Sequence, residues 1–349
     1  MAVWALRYRP PGMGKPLKAA TGGLGLPSAI VAVALAGLMA ACGSGNDDGS
    51  ASSSTGDQPR YAAAANFPQP SGRSMRALIG NLPQGPVLAP SVTILEPGQN
   101  RFGFALFDAG RRQIGELDVA LYVSHGVDET AHGPFPAKYE PIDVKPQFES
   151  QTTAQDPDAA QSVYVSRIRF SRPGSYLVTA VTKLDNKLVA TSPTQVTVRA
   201  GGRVPDVGDK AISVHTPTVA SAHGNVKSID TRVPPDDMHK VDLADALRRH
   251  RPVILLFATP ALCQSRVCGP VVDVAEQVKA QYGEKADFIH MEIYKDNDLN
   301  KGPRPQFTAY GLSHEPILFA INRRGLIADR LEGAYSANEL EAAVRKALG

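Results

Sequence analysis

Near residue 240 the hydrophobic pattern of this 349-residue chain changes period, and that change limits the fold more than any other feature. From about 85 to 200 apolar residues alternate. Phe102, Phe104 and Leu106 share one face of "RFGFALFD", and Val119, Leu121 and Val123 one face of "DVALYVSH". Period two is the mark of half-buried strands. "SVYVSRIRF", "YLVTAVTKL" and "TQVTVRA" follow, separated by turn residues such as Pro97-Gly98, Pro173-Gly174 and "LDNK" at 184–187. Short alternating strands without a helical stretch predict an all-β antiparallel sandwich over 85–200. Past 238 the pattern is α/β. "PVILLFA" is a continuous apolar run, as in a strand covered on both faces. "DLADALRRH" and "VVDVAEQVKAQYG" carry helical spacing, with Asp242 placed to cap the first and Ser336-x-x-Glu339 opening a last helix. The order over 239–349 reads α-β-α-β-α-β-β-α. Pro, Gly, Asp and Thr are dense over 201–238, which reads as an interdomain linker.

The first 41 residues form a third kind of sequence. Arg7, Arg9, Lys15 and Lys18 lie there without an acid, so they account for the net charge of +3. The remaining chain has no basic excess, and no nucleic-acid partner is expected. A basic start followed by the apolar run "LPSAIVAVALAGLMAAC" is the layout of a secretory signal over 1–41. "LMAAC" resembles a bacterial lipobox, with Met39 where Leu is usual. The resemblance implies a lipoprotein whose first mature residue is Cys42, carrying a fatty acid such as palmitate. An ordinary cleaved signal and an uncleaved anchor helix are the competing readings. The Gly/Ser/Asp-rich stretch after Cys42 reads as a flexible tether over 42–84. The expected location is the extracytoplasmic face of the cell membrane.

Of three cysteines, Cys42 is thereby assigned to the lipid, which leaves Cys263 and Cys268 in "ATPALCQSRVCGP". Outside the cytoplasm such a pair persists as a disulfide, and a staple closing so short a loop stabilises little. Across an intact helix, residues five apart have Cα atoms roughly 8–9 Å apart, beyond disulfide reach. The first turn must therefore be irregular or unwind, or the helix must begin late, at Pro270. A helix start near Gln264 would favour the Cys263 thiolate. Arg266 could add a cation.

The strand "VILLFA" leading into Cys263, Pro270 beyond the pair, "YGLSHEPILFAINRRG" and Gly333 together resemble the thioredoxin fold over about 240–349. By that resemblance Pro316 is a cis-proline beside the sulfurs. The sequence departs from the family in lacking Cys-x-x-Cys, in having Leu262 in place of tryptophan, and in having Leu256 in place of the buried acid. "FSRPGSYLVTAV" at 170–181 resembles late strands of Ig-like modules, so the chain is expected to be multidomain, an Ig-like sandwich followed by a thioredoxin-like fold. "TPALCQSRVC" is similar to the active segment of one peroxiredoxin branch, with Thr259 as its activating residue and one residue too many before the cysteine.

The leading expectation is thiol–disulfide exchange, with Cys263 as nucleophile, Cys268 as resolving cysteine and Pro316 aligning the substrate. Arg266, Thr259 and His314 are candidate supporting residues; His314 would be a proton acceptor. Expected partners are protein thiols or disulfides and a reductant or oxidant of unknown identity. A redox-silent binding module with a structural disulfide, and a thiol peroxidase, are the alternatives. No cofactor is expected. No metal site is expected either: His125 and His132 flank a loop without a third ligand, the acids of "YKDNDLNKGPRP" read as solvated, and His290 reads as structural.

Overall fold

The computed structural model describes residues 62–349. The leader, Cys42 and the first part of the tether lie outside them. Residues 62–84, expected to belong to the tether, are ordered. Ser74 caps the short helix α1 (Met75–Ile79) by accepting from the Ala77 amide at 3.2 Å. Ala62, Phe67, Met75 and Leu78 are buried with Ala120, Tyr122, Val181 and Ala190. These four side chains are spaced without a period, so the sequence shows no element, yet together they cover one patch of sheet.

The β-rich part contains β1 (Val87–Pro90), β2 (Gly98–Phe107), β3 (Gln113–Ile114), β4 (Val119–Ser124), β5 (His132–Pro141), the one-turn helix α2 (Gln151–Ala154), β6 (Ser162–Phe170), β7 (Gly174–Leu184), β8 (Lys187–Ala190) and β9 (Thr194–Val198). The expected pair of facing sheets is corrected to one antiparallel ladder, β1-β2-β6-β5-β4-β7-β8, with β3 on β2 and β9 on β7. The ladder curls. Its two ends meet where Leu95 bridges Val198, the Arg199 amide donating to the Leu95 carbonyl at 2.8 Å. A register slip between Leu121 and Val123 helps bend β4 against β5. Phe102, Phe104, Leu121, Tyr164, Ile168 and Val178 fill the inside. Alternation reports that one face of each strand is buried; it is silent on whether a second sheet or the far wall of the same sheet does the burying.

The α/β part follows the expected order: α3 (Leu243–Arg248), β10 (Val253–Phe257), α4 (Cys268–Tyr282), β11 (Asp287–Met291), α5 (Pro305–Ala309), β12 (Ile317–Ile321), β13 (Ile327–Glu332) and α6 (Ala337–Leu348). The sheet order is β11-β10-β12-β13. β10 runs parallel to β11 and antiparallel to β12, and β13 is antiparallel to β12. Every residue of β10 and β12 is buried, because both faces are covered. Val271, Val274, Leu340 and Val344 of α4 and α6 pack on Ile254, Leu256 and Leu318. Leu243 of α3 and Phe307 of α5 pack on the other face with Leu255, Phe257 and Phe319.

Residues 201–238 do not form a free linker. Gly208 donates to the Ile327 carbonyl, Ile327 to Asp209 and Ala211 to Gly325, adding an edge to β13. Thr216, Ile229, Asp230, Arg232, Asp236 and Met238 are buried. High Pro, Gly and Asp content marks irregular backbone, and here that backbone packs. The described residues belong to one compact unit, so the expected boundary between two independent domains is not present as such. Two ion pairs hold its parts together. Arg101 of β2 binds both oxygens of Glu339 at 2.7 Å and the Glu332 and Ala334 carbonyls. Arg232 binds Asp273 of α4 at 2.8 Å and the Phe148 carbonyl at 2.7 Å, while the Ser150 amide and hydroxyl donate to the other Asp273 oxygen. Gly333 sits at φ +68°, and a Cβ there would overlap the Ser91 carbonyl. The start of α6 and the end of β1 thus meet backbone to backbone.

Among the described residues no helix is long and apolar enough to cross a membrane.

Candidate functional site

Helix α4 begins at Cys268, with Val267 as its N-cap. Residues 259–267 form irregular turns, and Arg266 takes φ +58°. The Cys263 and Cys268 Cα atoms are therefore 6.0 Å apart, and the two sulfurs are bonded, within the range that a disulfide needs. A late helix start was one of the open alternatives; it falls at Cys268, two residues before Pro270. Pro270 then lies in the first turn, where its missing N–H costs no helix bond. The helix-terminus advantage belongs to Cys268, not to Cys263 as a start near Gln264 would have had it.

Exposure separates the two sulfurs. Cys263 is 7% exposed and Cys268 0%. The Ser265 hydroxyl lies 3.2 Å from the Cys263 sulfur and can donate to it, which stabilises a thiolate. Both cysteines belong to a core cluster that also takes in Ile142, Val163 and Val165 of the β-rich part. The Ala160 amide donates to the Arg266 carbonyl at 3.0 Å.

The Glu315–Pro316 peptide is cis. The side chain that this loop turns toward the sulfurs is Glu315, not His314: one Glu315 carboxyl oxygen and both sulfurs lie within 4.8 Å of one another. Glu315 Oε2 is buried without a hydrogen-bond partner. Burial, reinforced by the carboxylate of Glu292, pushes the Glu315 carboxyl up to about 8 against the opposing effects of Thr259 and His290. A carboxyl held protonated at neutral pH beside a disulfide is suited to exchanging a proton with sulfur.

The supporting residues expected from sequence are otherwise engaged. His314 bonds Glu332 at 2.6 Å and the Thr93 hydroxyl at 2.7 Å, facing the β-rich part. Although burial opposes it, His314 and the Thr93 and Ile94 amides hold the Glu332 carboxyl below its ordinary value. Arg266 pairs with Asp156 at 3.2 Å. Thr259 is fully buried and accepts the Ile293 amide at 3.0 Å. Sequence gave two usable signals for what it overlooked: an acid directly before the cis-proline candidate, and Ser265 inside the cysteine loop. The ties from Asp156 and Ala160 to Arg266 had none, since nothing local marks a contact between segments so far apart in sequence.

A group of metal-ligand-type side chains that sequence reading did not bring together lies nearby. Asp230, Asp236, His239 and His290, all buried, place four ligand-type atoms within 4.8 Å of one another. His290 Nδ1 lies 2.6 Å from Asp236, and its Nε2 lies 2.9 Å from the Ala258 carbonyl. Burial works against a charged imidazole there, but Asp236 and the neighbouring acids raise His290 to about 10.

No family model and no curated protein matches this chain. Among solved structures it is similar to a chain described as a thiol:disulfide interchange protein, DsbE, of Chlorobium tepidum, at 21% identity and a TM-score of 0.30. The likeness covers 42% of this chain and 99% of that one, and at that TM-score it carries no weight for fold or function.

Proposed function

We propose that this chain is an extracytoplasmic, thioredoxin-like thiol–disulfide oxidoreductase, lipid-anchored through Cys42, working through Cys263 and Cys268. The observation that carries the reading is Glu315: a buried carboxyl with an unpartnered oxygen, beside a disulfide, in the loop that ends at a cis-proline. A purely structural staple has no use for such a group, and leaving it unpaired costs stability.

The Cys263 thiolate, as the more accessible sulfur, attacks one sulfur of a substrate disulfide. A Cys263–substrate bond forms, the substrate S–S bond breaks, and the released thiolate takes a proton from water. Cys268 then loses its proton to water and attacks the Cys263 sulfur. The internal disulfide forms, and the second substrate thiolate leaves, taking the proton of the Glu315 carboxyl, which Glu315 regains from water. The substrate is reduced by two electrons and the protein dithiol oxidised; an external dithiol must restore it. With Cys263 only 7% exposed, the cysteine loop has to move before a substrate reaches its sulfur.

The burial of both cysteines favours a second reading, in which the bond is a staple between the cysteine loop and α4 and the chain is a binding module. The peroxidase reading loses support, since Thr259 and Arg266 are committed elsewhere.

With reduced full-length protein and a disulfide substrate, Cys268→Ser should accumulate a mixed disulfide and Cys263→Ser should not. Equal turnover by wild type and both variants would establish the staple. A Glu315→Gln variant tests the acid. Its raised carboxyl means that the folded state keeps a proton that the unfolded chain has lost. Stability from this group is therefore full below about pH 4.5 and falls as pH rises to about 8. Glu315→Gln should remove that slope, gaining on the order of 2 kcal/mol over wild type at pH 9 in denaturant titrations. It should also slow release of the mixed disulfide by about tenfold or more. An unchanged release rate would remove Glu315 from the chemistry. For the anchor, labelled palmitate should be incorporated into wild type and lost in Cys42→Ser; labelling that survives the substitution rules it out.

A further inference from the structure

The Asp230, Asp236, His239 and His290 cluster is separate from the sulfur chemistry and lies where the segment before α3 crosses the free edge of β11. The His290 amide donates to the Met238 carbonyl at 3.1 Å, and Val219 donates to the His239 carbonyl at 2.8 Å. The two imidazole rings are neighbours, with centroids 5.1 Å apart. All four side chains are 0–1% exposed.

His239 is the anomaly. Its Nε2 is buried with no hydrogen-bond partner, although it points at two carboxylates. It lies 3.4 Å from Asp230 Oδ2 and 3.4 Å from Asp236 Oδ1. These separations are long for a hydrogen bond. They match the edge of a ligand tetrahedron: with zinc–nitrogen and zinc–oxygen bonds of about 2.0–2.2 Å, neighbouring ligand atoms stand roughly 3.3–3.6 Å apart.

The surroundings hold these groups as an outer ring of bonds holds metal ligands. Asp230 accepts from the Arg232 and Asp236 amides at 2.8 and 2.7 Å, and Asp236 accepts from the Met238 amide at 2.9 Å. The Ala258 carbonyl takes His290 Nε2–H, which leaves Nδ1 facing the cluster, 2.6 Å from Asp236 Oδ2, a contact that an ion between them would replace. Charge points the same way. Asp230, Asp236, Asp273 and Glu292 are all buried nearby; Arg232 is committed to Asp273, which leaves His290 alone to face the other three carboxylates.

We infer that Asp230, Asp236, His239 and His290 bind one divalent transition-metal ion, of which Zn2+ fits the two-nitrogen, two-oxygen set best. With four protein ligands and no solvent access the site is structural. It fastens residues 230–239 to β11 at the base of the cysteine loop, where Thr231 Oγ1 accepts the Ala261 amide at 3.1 Å. The ion takes no part in sulfur chemistry, so the inference stands whether or not the disulfide turns over.

The test uses the full chain in its disulfide form, so that thiolates cannot ligate. Metal analysis after purification should find one equivalent of zinc. Stripping with a chelator should lower Tm, and adding Zn2+ should restore it. Co2+ in place of zinc should give the visible d–d bands of a tetrahedral site, present also in a Cys263→Ser/Cys268→Ser double variant. His239→Gln should weaken Zn2+ binding by more than about a hundredfold, beyond what loss of an outer-ring partner does. Should that variant fail to fold, the strip-and-reload comparison on wild type decides alone. A chain that purifies without metal, keeps the same Tm with added Zn2+ and gives no Co2+ bands overturns the inference; the protonated His290 is then the cation between the carboxylates.

Discussion

The start of α4 at Cys268 is the constraint on which the candidate site depends. Five residues of regular helix would hold the two sulfurs too far apart to bond. Because Cys263 lies in irregular turns before the helix, the Cα atoms close to 6.0 Å. The same start gives Cys268 the helix terminus, leaves Cys263 the less buried of the two, and puts Pro270 where proline is tolerated. Those turns are fixed from three sides. The Ala261 amide is tied to Thr231, the Arg266 carbonyl to Ala160, and the Arg266 guanidinium to Asp156.

Two of those three ties come from the β-rich part, so the sheet is a component of the site. Val163 and Val165 belong to the same core cluster as the two cysteines, while Arg101 and Arg232 clamp the sheet and its loops to α6 and α4. Breaking either clamp would strand a buried charge, which is a strongly destabilising change. Access to Cys263 is therefore a matter of local movement of the cysteine loop and the residues tied to it.

Legibility followed the range of the interactions. The α/β order was readable because each element signals itself: a continuous apolar run for β10, a capping box for α6, Asp242 before α3. The pair Cys263 and Cys268 and the proline at 316 were readable for the same reason. The curled single sheet was not, since alternation in Phe102–Leu106 is identical whether a second sheet or the opposite wall covers it. Nor were the ordered 62–84 segment and the packed 201–238 segment, whose buried residues have no period. His314 stands out in sequence because histidine titrates near neutrality when unperturbed; Glu315 does not, since only burial in the fold raises its carboxyl. The His239 cluster joins residues up to sixty positions apart, and only folding brings them together.

The central claim is that a buried disulfide beside a buried acid opens and closes in the native protein. Equilibrating the folded chain in glutathione or dithiothreitol redox buffers, with alkylation to count free thiols and circular dichroism to follow the fold, measures this directly. The account predicts a reversible two-electron transition at Cys263–Cys268 with the native spectrum retained. A bond that resists reduction until denaturant unfolds the chain would contradict it.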